Sequence, residues 1–173
     1  MSRSATGTTP PVQTFLPYPD FTRTARVLDQ RRLGKQRVEA IQVLRALTWA
    51  GYGWRHHPAV KMWTGYEEAL VRYGLQICAV WTATGRADTC AGTLMTDLAA
   101  GCGITRVRSE EALAADGELP PWLGMPELHL SHRASLLRKD PAHYLPIFGE
   151  VPDVPYVWPL SDRERPCPLP PPD

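Results

Sequence analysis

The sequence has no long hydrophobic run, and this absence limits where the protein can act. No apolar segment approaches the roughly 18 to 20 residues that a membrane-spanning helix needs. The N-terminal stretch "MSRSATGTTPP" also lacks the apolar core of a signal peptide. We therefore expect a cytoplasmic protein with no membrane partner.

The sequence also lacks the spacings that mark metal centres and disulfide frameworks. Its cysteines form no Cys-x-x-Cys pair, and no histidine pattern lies near them. We expect free thiols rather than disulfides or a zinc site, and we expect no metal and no cofactor. The four cysteines are Cys78, Cys90, Cys102 and Cys167.

Three common catalytic motifs are missing as well. The chain contains no glycine-rich phosphate loop, no G-x-S-x-G nucleophile turn and no H-E-x-x-H zinc motif. A catalytic site must therefore be sought among clusters of charged and aromatic residues.

The length and composition are those of one globular domain. The chain has 173 residues, of which 43% are hydrophobic and 21% charged. Residues 1–12 are rich in Ser, Thr, Gly and Pro, and residues 163–173 are rich in Pro, so both are predicted to be disordered. The folded domain is then expected at 13–162.

Apolar periodicity predicts an all-α domain of three main helices with long loops. We expect a break near Gly34 in the first helix, a further short helix at 87–100, and one more helical turn after Pro141. Residues 101–126 are predicted to be irregular. The three main helices are predicted at 21–48, 59–83 and 127–139.

A basic segment is concealed by the net charge of only +1. Between Arg23 and Arg37 there are six basic residues and a single acid. Arginine outnumbers lysine sixteen to three, and guanidinium groups bind phosphate in a bidentate manner. A general arginine bias of the genome explains this ratio as well as selection for phosphate binding does.

Glu39 is the acid that follows this basic segment, and apolar residues come directly after it. Helical spacing places Arg32, Lys35 and Glu39 on one face. One interpretation is a surface ion pair between Lys35 and Glu39, worth a few tenths of a kcal/mol. The other is a partly buried, reactive acid at the edge of an anion-binding surface.

Two other segments combine features that nucleic-acid binding requires. In "WRHHPAVKMW", the side chains of His57, Lys61 and Trp63 mix cations with aromatic rings, as a stacked or flipped base needs. Adjacent histidines also commonly cap a loop. In "HLSHRASLLRKDPAHY", Arg133 and Lys139 belong either to a phosphate-binding surface or to a solvated helix.

His129 and His132 are three residues apart in the second of these segments. This spacing would let them share a metal ion, but no carboxylate completes a familiar ligand set.

Five stretches carry a resemblance that covers about residues 13–158. The chain resembles the pyrimidine-dimer DNA glycosylases, the endonuclease V-like family, and is more similar to bacterial relatives that usually carry no assigned function than to the bacteriophage enzyme. An endonuclease V-like helical fold is therefore implied. The stretches are "FLPYPDF", "LDQRRLGKQRVEAIQVL", "HPAVKMWTGYEEALVRYG", "SHRASLLRKDPAHYLPIFG" and "PYVWP".

The resemblance implies a base-excision activity on double-stranded DNA. In that family an amine attacks the sugar carbon that carries the damaged base and forms a Schiff base, and a glutamate assists. The glutamate of the motif falls on Glu39, which would stabilise the cationic sugar and then help to remove a proton for strand cleavage. Arg31, Arg32 and Arg37 would hold backbone phosphates.

The attacking amine has several candidates. The family's N-terminal threonine corresponds to a place near Thr14, which thirteen residues precede, so a free amine there requires removal of the leader or a later start. Ser2 would offer an amine on the leader. Lys35 or Lys61 would supply one if desolvation beside other cations lowered its pKa.

Three functions follow as hypotheses. The first is a monomeric, nucleoid-associated DNA glycosylase, for which the resemblance allows AP-lyase activity. The second is a non-catalytic DNA-binding module on the same scaffold. The third is a hydrolase of free nucleosides or nucleotides, whose binding would depend little on salt.

Overall fold

Eight helices make up the regular structure of residues 12–164, the part of the chain that this computed structural model describes. No strand occurs in this range, which confirms the all-α class. One hydrophobic core joins the helices into a single domain. The expected number of three main helices is too low. The helices are α1 (Phe21–Val27), α2 (Gln30–Thr48), α3 (Pro58–Lys61), α4 (Glu67–Ala83), α5 (Cys90–Cys102), α6 (Glu110–Ala115), α7 (Pro126–Lys139) and α8 (Pro141–Phe148).

Breaks divide the first two predicted helices. The first break lies at Asp29, whose side chain caps α2 by accepting a hydrogen bond from the backbone N–H of Arg32. The break expected near Gly34 is wrong, because Gly34 lies inside α2. A Cβ on it would meet the ring of Trp81 at 3.0 Å, so the glycine lets that ring approach closely. Gly65, in the left-handed region with φ +82°, separates α3 from α4.

Two expectations for the middle of the chain are also corrected. The segment 101–126 is not wholly irregular, since it contains α6, which Ser109 caps through the backbone N–H of Ala112. Cys102 is disulfide-bonded, whereas Cys78 and Cys90 are free thiols. Sequence spacing alone does not show which cysteines meet in a tertiary fold.

The core lies where α2, α4 and α5 pack against one another. Gly74 of α4 permits the close approach, because a Cβ there would lie 2.7 Å from Leu94 and 3.0 Å from Ala40. Trp63 and Tyr73 are completely buried beside this crossing. No helix of residues 12–164 is both long and apolar enough to cross a membrane.

Two histidines of α7 hold the extended segment that precedes α1. Leu16 donates its backbone N–H to Nδ1 of His132 at 2.8 Å, and its carbonyl lies 2.8 Å from Nδ1 of His129. The chain before Leu16 also lies against α2, where Gln36 is hydrogen-bonded to Gln13 and Phe15. Val12 is only 2% exposed. Of the predicted leader (1–12) and tail (163–173), residues 1–11 and 165–173 lie outside the described residues.

Candidate active site

A cavity of about 400 Å³ lies between the extended segment 12–16 and one face of α2. Its remaining walls come from the start of α3, the end of α7 and the chain after α8. Five separate parts of the chain therefore meet around one space.

The floor and one rim of the cavity belong to α2. Steps of three and four residues bring five side chains of this helix to the cavity, as its sequence pattern predicts. Glu39 is the one acid among the residues that line the cavity, all of them within 12–164. The α2 residues at the cavity are Arg31, Arg32, Lys35, Gln36 and Glu39.

Glu39 is buried, with 5% of its surface exposed. Burial raises the pKa of its carboxyl group to about 7, even though the nearby ammonium groups of Lys35 and Lys139 oppose the shift. The Nζ atom of Lys35 lies 3.7 Å from Oε1 of Glu39, and the lysine side chain is 56% exposed. The interpretation of Glu39 as the partner of Lys35 in a surface ion pair is therefore not sufficient, because both protonation states of the acid are populated near neutral pH.

Gln36 connects Glu39 to the extended segment. Its Nε2 donates to the carbonyl of Gln13 at 3.0 Å and to Oε2 of Glu39. Its Oε1 accepts from the backbone N–H of Phe15 at 3.0 Å and from the hydroxyl of Tyr73 at 2.7 Å. All four hydrogen-bonding positions of this buried amide are thus used, which fixes the orientation of the carboxyl group.

The cavity also has an aromatic wall. It consists of His57, Tyr156 and Trp158, and the ring of Trp158 meets the other two rings at 5.8 and 5.1 Å. His57 also caps α3, since its Nδ1 accepts the backbone N–H of Ala59. Burial lowers the pKa of His57, which favours the neutral imidazole.

The wall is held in place by two serines of α7. The hydroxyls of Ser135 and Tyr156 are hydrogen-bonded to each other, and Ser131 accepts the backbone N–H of Val157 at 3.2 Å. The chain after α8 is extended here and has no regular secondary structure. Side-chain anchors therefore position these aromatic rings.

Lys139 enters the cavity from the C-terminal end of α7. Partial desolvation, together with the positive charges of Arg32, Arg138 and Lys35, lowers the pKa of its ammonium group. Glu39 acts in the opposite direction. Lys139 makes no ion pair with the described residues, in contrast to Lys35.

Five of the residues predicted for the site do not line the cavity. Thr14 is buried, and its hydroxyl accepts from the indole of Trp63, which lies in the core at 0% exposure. Arg37 forms an ion pair with Asp88 at 2.5 Å. The guanidinium of Arg133 donates to the carbonyl of Pro17. The exposed Lys61 ends α3.

Six predicted residues do come together around the cavity. Sequence reasoning missed its walls from the extended segment and from the chain after α8, including Gln13, Tyr156 and Trp158. The one available signal was the proline-flanked aromatic stretch "PYVWP". The six residues are Arg31, Arg32, Lys35, Glu39, His57 and Lys139.

His129 and His132, which were considered as metal ligands, are both hydrogen-bonded to the backbone of Leu16. Nε2 of His129 in addition accepts the backbone N–H of Gly124. Across residues 12–164, no group of three or more His, Cys, Asp or Glu side chains is arranged to hold a metal ion.

One comparison with known proteins bears on this site. The family model described as pyrimidine dimer DNA glycosylase matches residues 12–92, a little under half of the chain. No curated protein and no solved structure matches the chain. The matched residues include Glu39, the basic face of α2, the extended segment and His57. Over residues 12–92, the chain is similar to the pyrimidine dimer DNA glycosylase family.

Proposed function

We propose that this protein is a DNA glycosylase that cleaves the N-glycosidic bond of a pyrimidine dimer in double-stranded DNA. The observation that carries the proposal is the buried Glu39, whose pKa is about 7, on the floor of a cationic cavity. This acid lies in the part of the chain that the family model matches.

The cavity has the size and the lining that a nucleotide requires. A volume of about 400 Å³ falls within the range of roughly 300 to 1,000 Å³ that is usual for small-molecule sites. The rings of Tyr156 and Trp158 offer faces for base stacking, while Arg31 and Arg32 supply guanidinium groups for the flanking phosphates. One nucleotide turned out of the duplex would thus find partners for its base and its backbone.

Glu39 would serve both halves of the reaction. In its protonated form it donates a proton to the departing base, and as a carboxylate it stabilises positive charge on the sugar. A pKa of about 7 keeps both forms available at neutral pH. The hydrogen bond from Gln36 holds the carboxyl group in one orientation during the change.

The test uses a labelled duplex that contains a single cyclobutane thymine dimer. We expect the protein to convert the dimer-bearing strand into an alkali-labile abasic strand, and to leave an otherwise identical undamaged duplex intact. Because several cations face the cavity, binding should weaken steeply as salt concentration rises.

Two outcomes would contradict the proposal. Salt-sensitive binding of the duplex with no cleavage at any enzyme excess would indicate a DNA-binding module. Hydrolysis of free nucleosides with no action on the duplex would indicate an enzyme of small substrates.

A further inference from the structure

A second basic concavity lies beside the cavity, between α2 and the end of α4. It has a volume of about 600 Å³ and shares Arg31 and Lys35 with the cavity that contains Glu39. The two spaces are therefore neighbours, with these side chains at their common border. We name this concavity the α2–α4 groove, and its lining includes Arg31, Gly34, Lys35, Arg37, Trp81 and Arg86.

The indole ring of Trp81 forms the platform of the α2–α4 groove. It lies on the backbone of α2 at Gly34, where a Cβ would meet the ring at 3.0 Å. Its Nε1 donates to the carbonyl of Ala87 at 3.0 Å, in the chain that follows α4. The guanidinium carbons of Arg37 and Arg86 lie 4.2 and 4.8 Å from the ring centroid. One ring that is fixed on two sides thus holds both cations by cation–π contact.

The positive charge of the groove is only partly neutralised. Arg37 forms an ion pair with Asp88 at 2.5 Å, and Lys35 pairs with the buried acid of the cavity. Arg31 and Arg86 make no ion pair with the described residues. None of the described residues that line the groove is acidic. Two guanidinium groups without an acid partner would therefore attract an anion into the groove.

The position of the groove identifies this anion as a phosphate of a nucleic-acid strand. Guanidinium groups bind phosphate in a bidentate manner, and contact with Trp81 holds that of Arg86 in place before binding. Because Arg31 and Lys35 border both spaces, a phosphate in the groove lies next to a nucleotide in the cavity. A chain of linked phosphates fills both spaces at once, whereas a free phosphate lacks the second set of contacts.

We propose that the α2–α4 groove binds the phosphodiester backbone of the dimer-bearing strand, next to the nucleotide that occupies the cavity. Arg86 is its principal phosphate ligand, Arg31 lies beside it, and Trp81 is a positioning residue that holds Arg86. The inference rests on the proposed glycosylase function, because it defines the groove by its place beside the nucleotide in the cavity. It makes the substrate a polynucleotide strand rather than a free nucleotide.

Methylphosphonate interference tests the proposal. In a set of duplexes with one thymine dimer, a neutral methylphosphonate replaces a different phosphate of the damaged strand in each, and the affinity of the full chain is measured. We expect one neutralised position beside the dimer to weaken wild-type binding about fivefold. In Arg86→Ala the same replacement should have no further effect, because this contact is already lost. The matched control Arg106→Ala, at an exposed arginine outside the groove, should respond as the wild type does at every position.

Variants of Trp81 separate its positioning role from charge. Trp81→Leu keeps every cation of the groove, yet the methylphosphonate effect should shrink at the position that depends on Arg86 and remain at the others. Trp81→Phe keeps an aromatic face and should restore the effect at that position. Loss of the effect at all positions alike would contradict the positioning role.

The same duplexes distinguish the failure of this inference from the failure of the glycosylase function. Equal interference patterns for Arg86→Ala and the wild type would overturn the groove, and cleavage of the dimer duplex by the wild type would then leave the glycosylase function intact. Interference that depends on Arg86, without any cleavage by the wild type, would support the groove and contradict the glycosylase function. Absence of both binding and cleavage would contradict both proposals.

Discussion

Replacing Glu39 by glutamine is expected to remove a pH-dependent loss of stability. Burial raises the pKa of Glu39 from 4.5 to about 7, so the folded state keeps the proton that the unfolded state releases first. The contribution of Glu39 to stability is therefore largest below pH 4.5 and falls as the pH rises towards 7. At about 1.4 kcal/mol for each pH unit, the wild type loses about 3 kcal/mol across this window through Glu39 alone.

Urea denaturation at several pH values between 4 and 8 measures this effect. The difference in unfolding free energy between Glu39→Gln and the wild type should move by about 3 kcal/mol in favour of the variant as the pH rises. Glu127→Gln, at an exposed position in the first turn of α7, controls for the loss of one negative charge. Parallel stability curves for Glu39→Gln and the wild type would refute the argument that burial controls this acid.

Three further predictions concern other parts of the fold and the site. Burial lowers the pKa of His132 to about 3. As the pH falls from 6.5 to 5, the wild type should therefore lose about 2 kcal/mol of unfolding free energy that His132→Asn does not lose. Equal losses for the two proteins in urea denaturation would contradict this prediction. Gly74→Ala should lower the free energy of unfolding by about 1 to 2 kcal/mol, because its methyl group enters the helix crossing. In the control Gly92→Ala the added methyl group meets no atom within 4 Å, so this variant should be more stable than the wild type by up to about 1 kcal/mol. Thermal melts that show no difference between the two variants would contradict the close packing at Gly74. Arg31→Ala should weaken DNA binding and reduce the steepness of log K against log salt concentration by about 0.9. The control Arg106→Ala, outside the cavity, should leave this slope unchanged. Equal slopes for Arg31→Ala and the wild type would exclude a phosphate contact at Arg31.

The part of the site on α2 could be predicted because it depends on local periodicity. The steps of three and four residues that join Arg32, Lys35 and Glu39 fix one helical face, whatever packs against it. Helical periodicity could not show that the side chain of Glu39 is buried. Its burial depends on the extended segment that Gln36 binds, and no periodic signal connects the two.

Long-range packing explains the expectations that the structure changed. Trp63 belongs to an aromatic segment that was predicted to line the pocket, yet its indole donates to Thr14 inside the core. Tyr156 and Trp158 supply the aromatic wall instead, from a segment about 100 residues further along the chain. Both segments contain aromatic residues, so tertiary contacts decide which rings face the cavity.

Helix boundaries show a related limit. Glycine has a low helix propensity, at a cost of about 1 kcal/mol relative to alanine, yet α2 continues through Gly34. The break occurs at Asp29, where the side chain caps α2 and binds the hydroxyl of Tyr144 in α8. Contact with Trp81 accounts for the glycine inside the helix, and such a contact is visible only in the fold.

The most direct test of the central claim is the single-turnover rate of glycosidic cleavage on the thymine-dimer duplex, compared between the wild type and Glu39→Gln. The affinity of each protein for the same duplex is measured alongside. The account predicts that the variant cleaves at least about 100-fold more slowly and still binds the duplex with nearly unchanged affinity. Equal cleavage rates for the two proteins would contradict the assignment of Glu39 as the acid that releases the base.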